Sequence, residues 1–160
     1  MQLAKQAADP RPAYDMTGCL FVSPDGWLLL SVPNALVRGV FSAIDQPGVE
    51  LPPWNGTRQL VAHISVMRPE ELAGIGGADK VTERGKRFSY RIGGLVTVKP
   101  DGWKEVETAW LLQITSPQLQ ALRRSYGLSS LPNDGKYAFH VTVAIRRRGV
   151  LGRNEKAKKS

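Results

Sequence analysis

The chain has 160 residues and is 42% hydrophobic, with four Trp, four Tyr and four Phe, which is enough for a real core in one domain or two small lobes. Its single cysteine, Cys19, excludes an intrachain disulfide and a cysteine-based zinc cluster. The net charge of +8 does not describe a uniformly basic body: residues 146–160 hold seven basic residues against the single acid Glu155, leaving about +2 for everything before them.

Sixteen glycines and eleven prolines indicate many turns, and so a sheet-rich fold rather than a helical bundle. Residues 1–16 are mixed and polar and read as a flexible segment. Asp9, Pro10, Arg11 and Pro12 interrupt any leader-like apolar core, and Leu28-Leu29-Leu30 is far too short to span a membrane, so a soluble cytoplasmic protein with no membrane partner is expected. Gly18 to Ser23 predicts a strand, Pro24-Asp25-Gly26 a turn, and Trp27 to Val32 the returning strand of a hairpin. Leu36, Val37, Val40, Phe41 and Ile44 then recur at helical spacing, with Pro33 in the first turn. Gln46 to Gly56 is an extended loop, with Asn55-Gly56-Thr57 read as a turn, and it leads to a strand over Arg58 to Met67.

Arg68-Pro69-Glu70-Glu71-Leu72 starts a short helix that Gly74-Ile75-Gly76-Gly77 ends. This glycine cluster does not follow a strand and open a long helix, which argues against a phosphate or dinucleotide loop. Residues 78–86 are charged and expected at the surface. Arg87 to Lys99 predicts a strand with a break at Gly93-Gly94, and Pro100-Asp101-Gly102-Trp103 repeats the spelling of the first turn. Glu105 to Thr115 is a strand with Trp110, Leu112 and Ile114 on one face. Ser116-Pro117 opens a helix through Leu119, Leu122, Arg123 and Tyr126 that Gly127 caps. Lys136 to Ile145 is the last strand, and residues 149–160 form a basic, disordered tail that attracts an anionic partner, if any, in a salt-dependent way.

The chain's two histidines, His63 and His140, lie 77 residues apart, each in a strand-like apolar run and each two residues before a hydroxyl residue, Ser65 or Thr142. Alternation along a strand puts His63, Ser65 and Met67 on one face, and His140, Thr142 and Ala144 on another. Each run follows the same series of hairpin, helix and loop, so the chain is an internal duplication at the level of elements. Two such halves facing each other across a cleft would bring both imidazole–hydroxyl pairs together. A lone strand histidine is ordinarily structural; two that repeat offset, hydroxyl and preceding elements favour a shared role.

Two imidazoles suit phosphodiester cleavage, which needs one group to take a proton from the attacking oxygen and another to supply one to the leaving oxygen. The hydroxyls of Ser65 and Thr142 would hold the phosphate oxygens. No cofactor is implied, and two histidines without a clustered carboxylate or thiolate do not make a metal site. Tyr14 and Trp54, which could stack on a base, and Tyr137 and Lys136, just before the second motif, are substrate-binding candidates. Trp110 is weighed as a stacking residue against plain core packing, and Arg58, Arg68 and Arg146 as phosphate attractors against solvated strand ends.

The paired His63-Ile64-Ser65 and His140-Val141-Thr142 motifs resemble the signature of the 2H phosphoesterase superfamily, over roughly residues 17–148. Ser65 stands where the family more often has Thr, and it keeps the hydroxyl. The resemblance implies an α+β, bilobal fold, with two pseudo-symmetric antiparallel sheet lobes and flanking helices around a central cleft. It implies a metal-independent site in which His63 and His140 act as acid and base on a small nucleotide or RNA-end substrate. The run Trp110 to Gly127 leading into Phe139-His140-Val141-Thr142 is similar to phage enzymes that cleave the cyclic nucleotide messengers of bacterial CBASS defence, which would place the protein in a host cytoplasm. The alternatives are a 2′,3′-cyclic phosphodiesterase or RNA-end enzyme of the LigT type, and a non-catalytic nucleotide binder.

Overall fold

In the computed structural model, which describes residues 15–52, 62–132, 135 and 138–150, two similarly spelled turns close two hairpins. Gly26 and Gly102 take φ of 91° and 84°, a region where a side chain would be strained. The first turn joins β1 (Asp15–Val22) to β2 (Leu28–Ser31), and the second joins β4 (Arg87–Val98) to β5 (Val106–Thr115). After β2 come α1 (Asn34–Ala43) and β3 (His63–Met67); after β5 come α3 (Pro117–Ser125) and β6 (Phe139–Arg147). The short α2 (Pro69–Gly74) and a 3-10 turn (Ala78–Lys80) connect the halves.

The six strands among the described residues form one antiparallel sheet in the order β3-β2-β1-β4-β5-β6. That order is a palindrome of the duplication: β1 and β4 are the central pair, β2 matches β5, and β3 matches β6. The expected two lobes are present as halves, but they are not separate sheets, because both share β1. Its residues Asp15–Cys19 pair with β4, and Leu20–Val22 pair with β2. At the changeover a Cβ on Gly18 would lie 2.0 Å from the Ser31 carbonyl oxygen, so only glycine permits the crossing. The Cys19 amide donates to the Ser31 hydroxyl at 2.8 Å and fastens the same point. β1 begins inside the segment read as flexible, since Asp15 and Met16 are already in register with Arg91 and Tyr90.

Each half's helix covers the other half's outer strand. α1 packs on β6, while α3 packs on β4 and β3. The covered faces are apolar: Leu20, Leu30, Ile64, Val66, Val37, Leu112, Leu119, Phe139, Val141 and Val143 belong to one buried cluster spanning both halves. Ser116 caps α3 by accepting the Leu119 amide at 3.1 Å. Pro33 lies one place outside α1, as its N-cap.

Two sequence expectations change here. Residues 78–86 are not all at the surface, because Val81 is fully buried and Tyr126, at the end of α3, holds the segment by donating to Glu83 at 2.6 Å and accepting the Thr82 amide at 3.2 Å. β4 does not break at Gly93–Gly94; the strand continues with a register shift between Ile92 and Leu95. Among the described residues no helix is long and apolar enough to cross a membrane.

Candidate active site

The alternation expected for both motif strands is present up to the hydroxyl residue. In β3, Ile64 and Val66 are buried while His63 and Ser65 are half-buried; in β6, Phe139, Val141 and Val143 are buried while His140 and Thr142 are half-buried. The polar pair in each strand therefore lies on the face opposite the core. Met67 and Ala144 do not join that face, contrary to expectation, and are buried at 1% and 0% exposure. The reason is a register shift in each strand. Leu29 pairs with Ser65 and Leu28 with Met67, which leaves Val66 extra; Leu111 pairs with Thr142 and Trp110 with Ala144, which leaves Val143 extra. Each bulge falls one residue after the hydroxyl, so the duplication extends to the irregularity that ends each polar face.

The two strands meet. β3 and β6 are the outer strands of the sheet, and they approach to Cα separations of 8 Å or less without forming a ladder. Four supports fix them. Asn34, opening α1, accepts the Ala62 amide at 2.7 Å, and the Ala62 carbonyl accepts from Val32 at 2.8 Å, so the residue before His63 is held on both sides. Glu50 forms a two-way backbone bridge to Ile145 at 2.9 Å and covers part of the edge of β6. On β3 the edge carbonyl of Val66 accepts from the Arg123 guanidinium of α3 at 2.7 Å. Arg123 is fully buried and grips the Glu71 carboxylate with both NH groups, at 3.0 and 2.7 Å, while its Nε donates to the Ser129 carbonyl at 2.7 Å.

His140 is the better-defined imidazole. Its Nδ1 lies 3.2 Å from the Ala138 carbonyl oxygen, which can only accept, so Nδ1 carries the proton and Nε2 of the neutral ring has the lone pair. Burial pushes the His140 pKa below the ordinary 6.5, and the Ala138 hydrogen bond only partly offsets it. Across the ladder His140 faces Gln113, and His63 faces Ser31.

Of the residues singled out from the sequence, His63, Ser65, His140 and Thr142 are brought to neighbouring strands and to their half-buried faces. Tyr14, Trp54, Tyr137, Lys136 and Arg58 lie outside the described residues. Trp110 is not a stacking platform: it is 6% exposed within the core, and the Arg146 guanidinium sits 5.5 Å from its ring centroid. Arg146 is correspondingly taken up by Glu107 at 2.9 Å, and Arg147 by Glu50 and Glu105. These arginines belong to β6, so part of the basic C-terminal run is neutralised within the sheet. The Arg123–Glu71 pair was missed; its signal was a charged residue on the apolar stripe of a helix, between Leu122 and Tyr126. Among the described residues no three His, Cys, Asp or Glu side chains gather as a metal site would require.

A duplicated α+β sheet whose two outer strands each present an imidazole and a hydroxyl defines a two-histidine phosphoesterase class. The family model for the 2H phosphoesterase domain called Swiss Army Knife matches residues 26–151. The chain belongs to this family and is a hydrolase of the phosphoesterase kind. No curated protein and no solved structure matches it.

Proposed function

We propose that the chain is a metal-independent phosphodiesterase that cleaves a cyclic nucleotide or cyclic oligonucleotide, with His140 as general base and His63 as general acid. The observation that carries this reading is the meeting of two duplicated strands, each presenting an imidazole and a hydroxyl from its half-buried face, in a member of the 2H phosphoesterase family. Burial keeps His140 neutral, and the Ala138 carbonyl leaves Nε2 as the basic atom, which takes the proton of the attacking oxygen as that oxygen bonds to phosphorus. The P–O bond to the leaving oxygen breaks, and His63 supplies the proton that oxygen needs. Ser65 and Thr142 hydroxyls donate to the non-bridging oxygens and hold phosphorus between the rings. With water as nucleophile the product is a phosphomonoester; with a neighbouring ribose 2′-hydroxyl it is a 2′,3′-cyclic phosphate. The similarity of Trp110–Gly127 to the phage enzymes makes cyclic oligonucleotide messengers the first substrates to try, and the lone Cys19 suits a reducing cytoplasm.

The test is a panel of 2′,3′-cyclic nucleotides, cyclic di- and trinucleotides and 2′–5′ oligomers, assayed in chelator. His63→Ala and His140→Ala should each reduce turnover by about 10²–10⁴-fold, and Ser65→Thr should retain activity. Absence of turnover on every substrate, or turnover indifferent to both histidine substitutions, would remove the proposal.

A further inference from the structure

The pseudo-two-fold of the sheet pairs residues of the two halves, and at one place the halves differ in a way that packing does not explain. Leu29 beside Ser65 corresponds to Leu111 beside Thr142, and Ser31 beside His63 corresponds to Gln113 beside His140. The Ser31 hydroxyl is engaged inside the fold by the Cys19 amide. Gln113 is exposed, and its carboxamide hydrogen-bonds no described residue. Cross-strand partners share a face, so this unengaged donor–acceptor group stands beside His140 on the motif side of the sheet.

The neighbouring strand is bare at this level. Gly93 and Gly94 form the irregular step of β4 between Ile92 and Leu95. Neither has the positive φ that would demand glycine. A Cβ on Gly94 would instead sit 3.7 Å from the Gln113 carboxamide oxygen, and one on Gly93 would sit 3.3 Å from the Gln113 carbonyl oxygen. Glycine inside a strand weakens it and marks a bulge or a close approach by another group. Here the missing side chains leave open the space flanking the Gln113 carboxamide.

We infer that Gln113 and the Gly93–Gly94 step form a specificity subsite beside His140, where the carboxamide reads the nucleobase of the nucleoside whose ribose carries the scissile phosphate. A carboxamide offers one donor face and one acceptor face, which match a base edge carrying an adjacent acceptor and donor. This rests on the phosphodiesterase reading and adds to it the group that selects the substrate.

The experiment measures kcat and KM for the four 2′,3′-cyclic mononucleotides and for the base-free methyl riboside 2′,3′-cyclic phosphate, using wild type, Gln113→Leu, Gln113→Glu and Gly94→Val. Thermal unfolding confirms that each variant is folded. Gln113→Leu should lower kcat/KM for the preferred nucleotide by about tenfold, chiefly through KM, and compress the ranking of the four bases. Gln113→Glu, an acceptor only, should reorder that ranking. Gly94→Val should raise KM for nucleotides, and none of the three should change turnover of the base-free substrate. If wild-type activity depends on both histidines yet Gln113→Leu keeps the wild-type base ranking, or lowers the base-free substrate by the same factor, the subsite is refuted and the phosphodiesterase reading stands. If wild type cleaves none of these substrates, the subsite is refuted, and the phosphodiesterase reading falls with it only when the cyclic di- and trinucleotides and the 2′–5′ oligomers are also left intact.

Discussion

At the residue scale, His140 carries a pH signature. Its pKa lies below 6.5 because burial penalises the charged ring more than the Ala138 carbonyl favours it. A general base acts only when deprotonated, so the acid limb of kcat/KM should have its midpoint below the ordinary imidazole value of about 6.5. An acid limb above that value, or a flat profile between about pH 5 and 8, would contradict the assignment. The same shift acts on stability. Above about 6.5 the ring is neutral in both folded and unfolded chains; as pH falls from there through the lower folded pKa, the unfolded state binds more protons and stability is lost. His140→Gln should flatten that part of the curve. Tyr90 shows the same desolvation without a partner: its buried hydroxyl meets no described hydrogen-bonding group, and burial pushes its pKa up to about 12.

At the scale of elements, the informative feature is the clamp joining α3, α2 and β3. An outer strand leaves carbonyls without ladder partners, and the bulge at Val66 adds to that need. Arg123 satisfies the Val66 carbonyl from a fully buried position, and it is stable there only because Glu71 neutralises it bidentately. Glu71 in turn accepts the Arg68 amide at 3.0 Å, at the start of α2. The Arg123 hydrogen bond holds the Glu71 carboxyl below its ordinary pKa, so this contribution is present above pH 4.5 and is lost as pH falls through the lower folded value. Arg123→Ala and Glu71→Ala should each cost about 3–5 kcal/mol, read from denaturant midpoints, because each leaves an unpaired or uncompensated group. The double variant should cost less than the sum. Single losses below about 1 kcal/mol, as at exposed ion pairs, would show that the clamp is not structural.

At the scale of the whole molecule, the two halves stand or fall together. They share β1, exchange helices across the sheet and bury one apolar cluster. Unfolding should therefore be a single cooperative transition, with hydrogen exchange of β3 amides and of β5 amides around Trp110 giving the same free energy. Two separated transitions would mean the halves are independent lobes. Gly18→Ala probes the shared strand directly: with Ser31 O only 2.0 Å from the new Cβ, the backbone must shift. The expected loss is about 1–3 kcal/mol, as for other overpacked sites. It should appear in both halves at once, as a lower midpoint with one transition retained.

The local chemistry of the chain was enough to identify the duplicated elements, both hairpin turns, the Ser116 cap and the four motif residues. Each of these depends on short-range rules: alternation in strands, helical spacing, and the dihedral preferences of Pro, Gly and Ser. The same rules misplaced Met67 and Ala144, because strict alternation holds only in an unbroken register and the bulges at Val66 and Val143 arise from pairing with β2 and β5. They placed Trp110 in the core, where it lies, but gave no partner to Arg123 or to Trp110. A charged residue on an apolar stripe or an indole in a run gains its surroundings from groups far along the chain: Glu71 for Arg123, Arg146 for Trp110. Sequence periodicity made each His-x-Ser/Thr strand legible by itself. That the two strands adjoin was settled only by tertiary structure, because it depends on both halves pairing with β1 in one sheet whose outer strands approach each other.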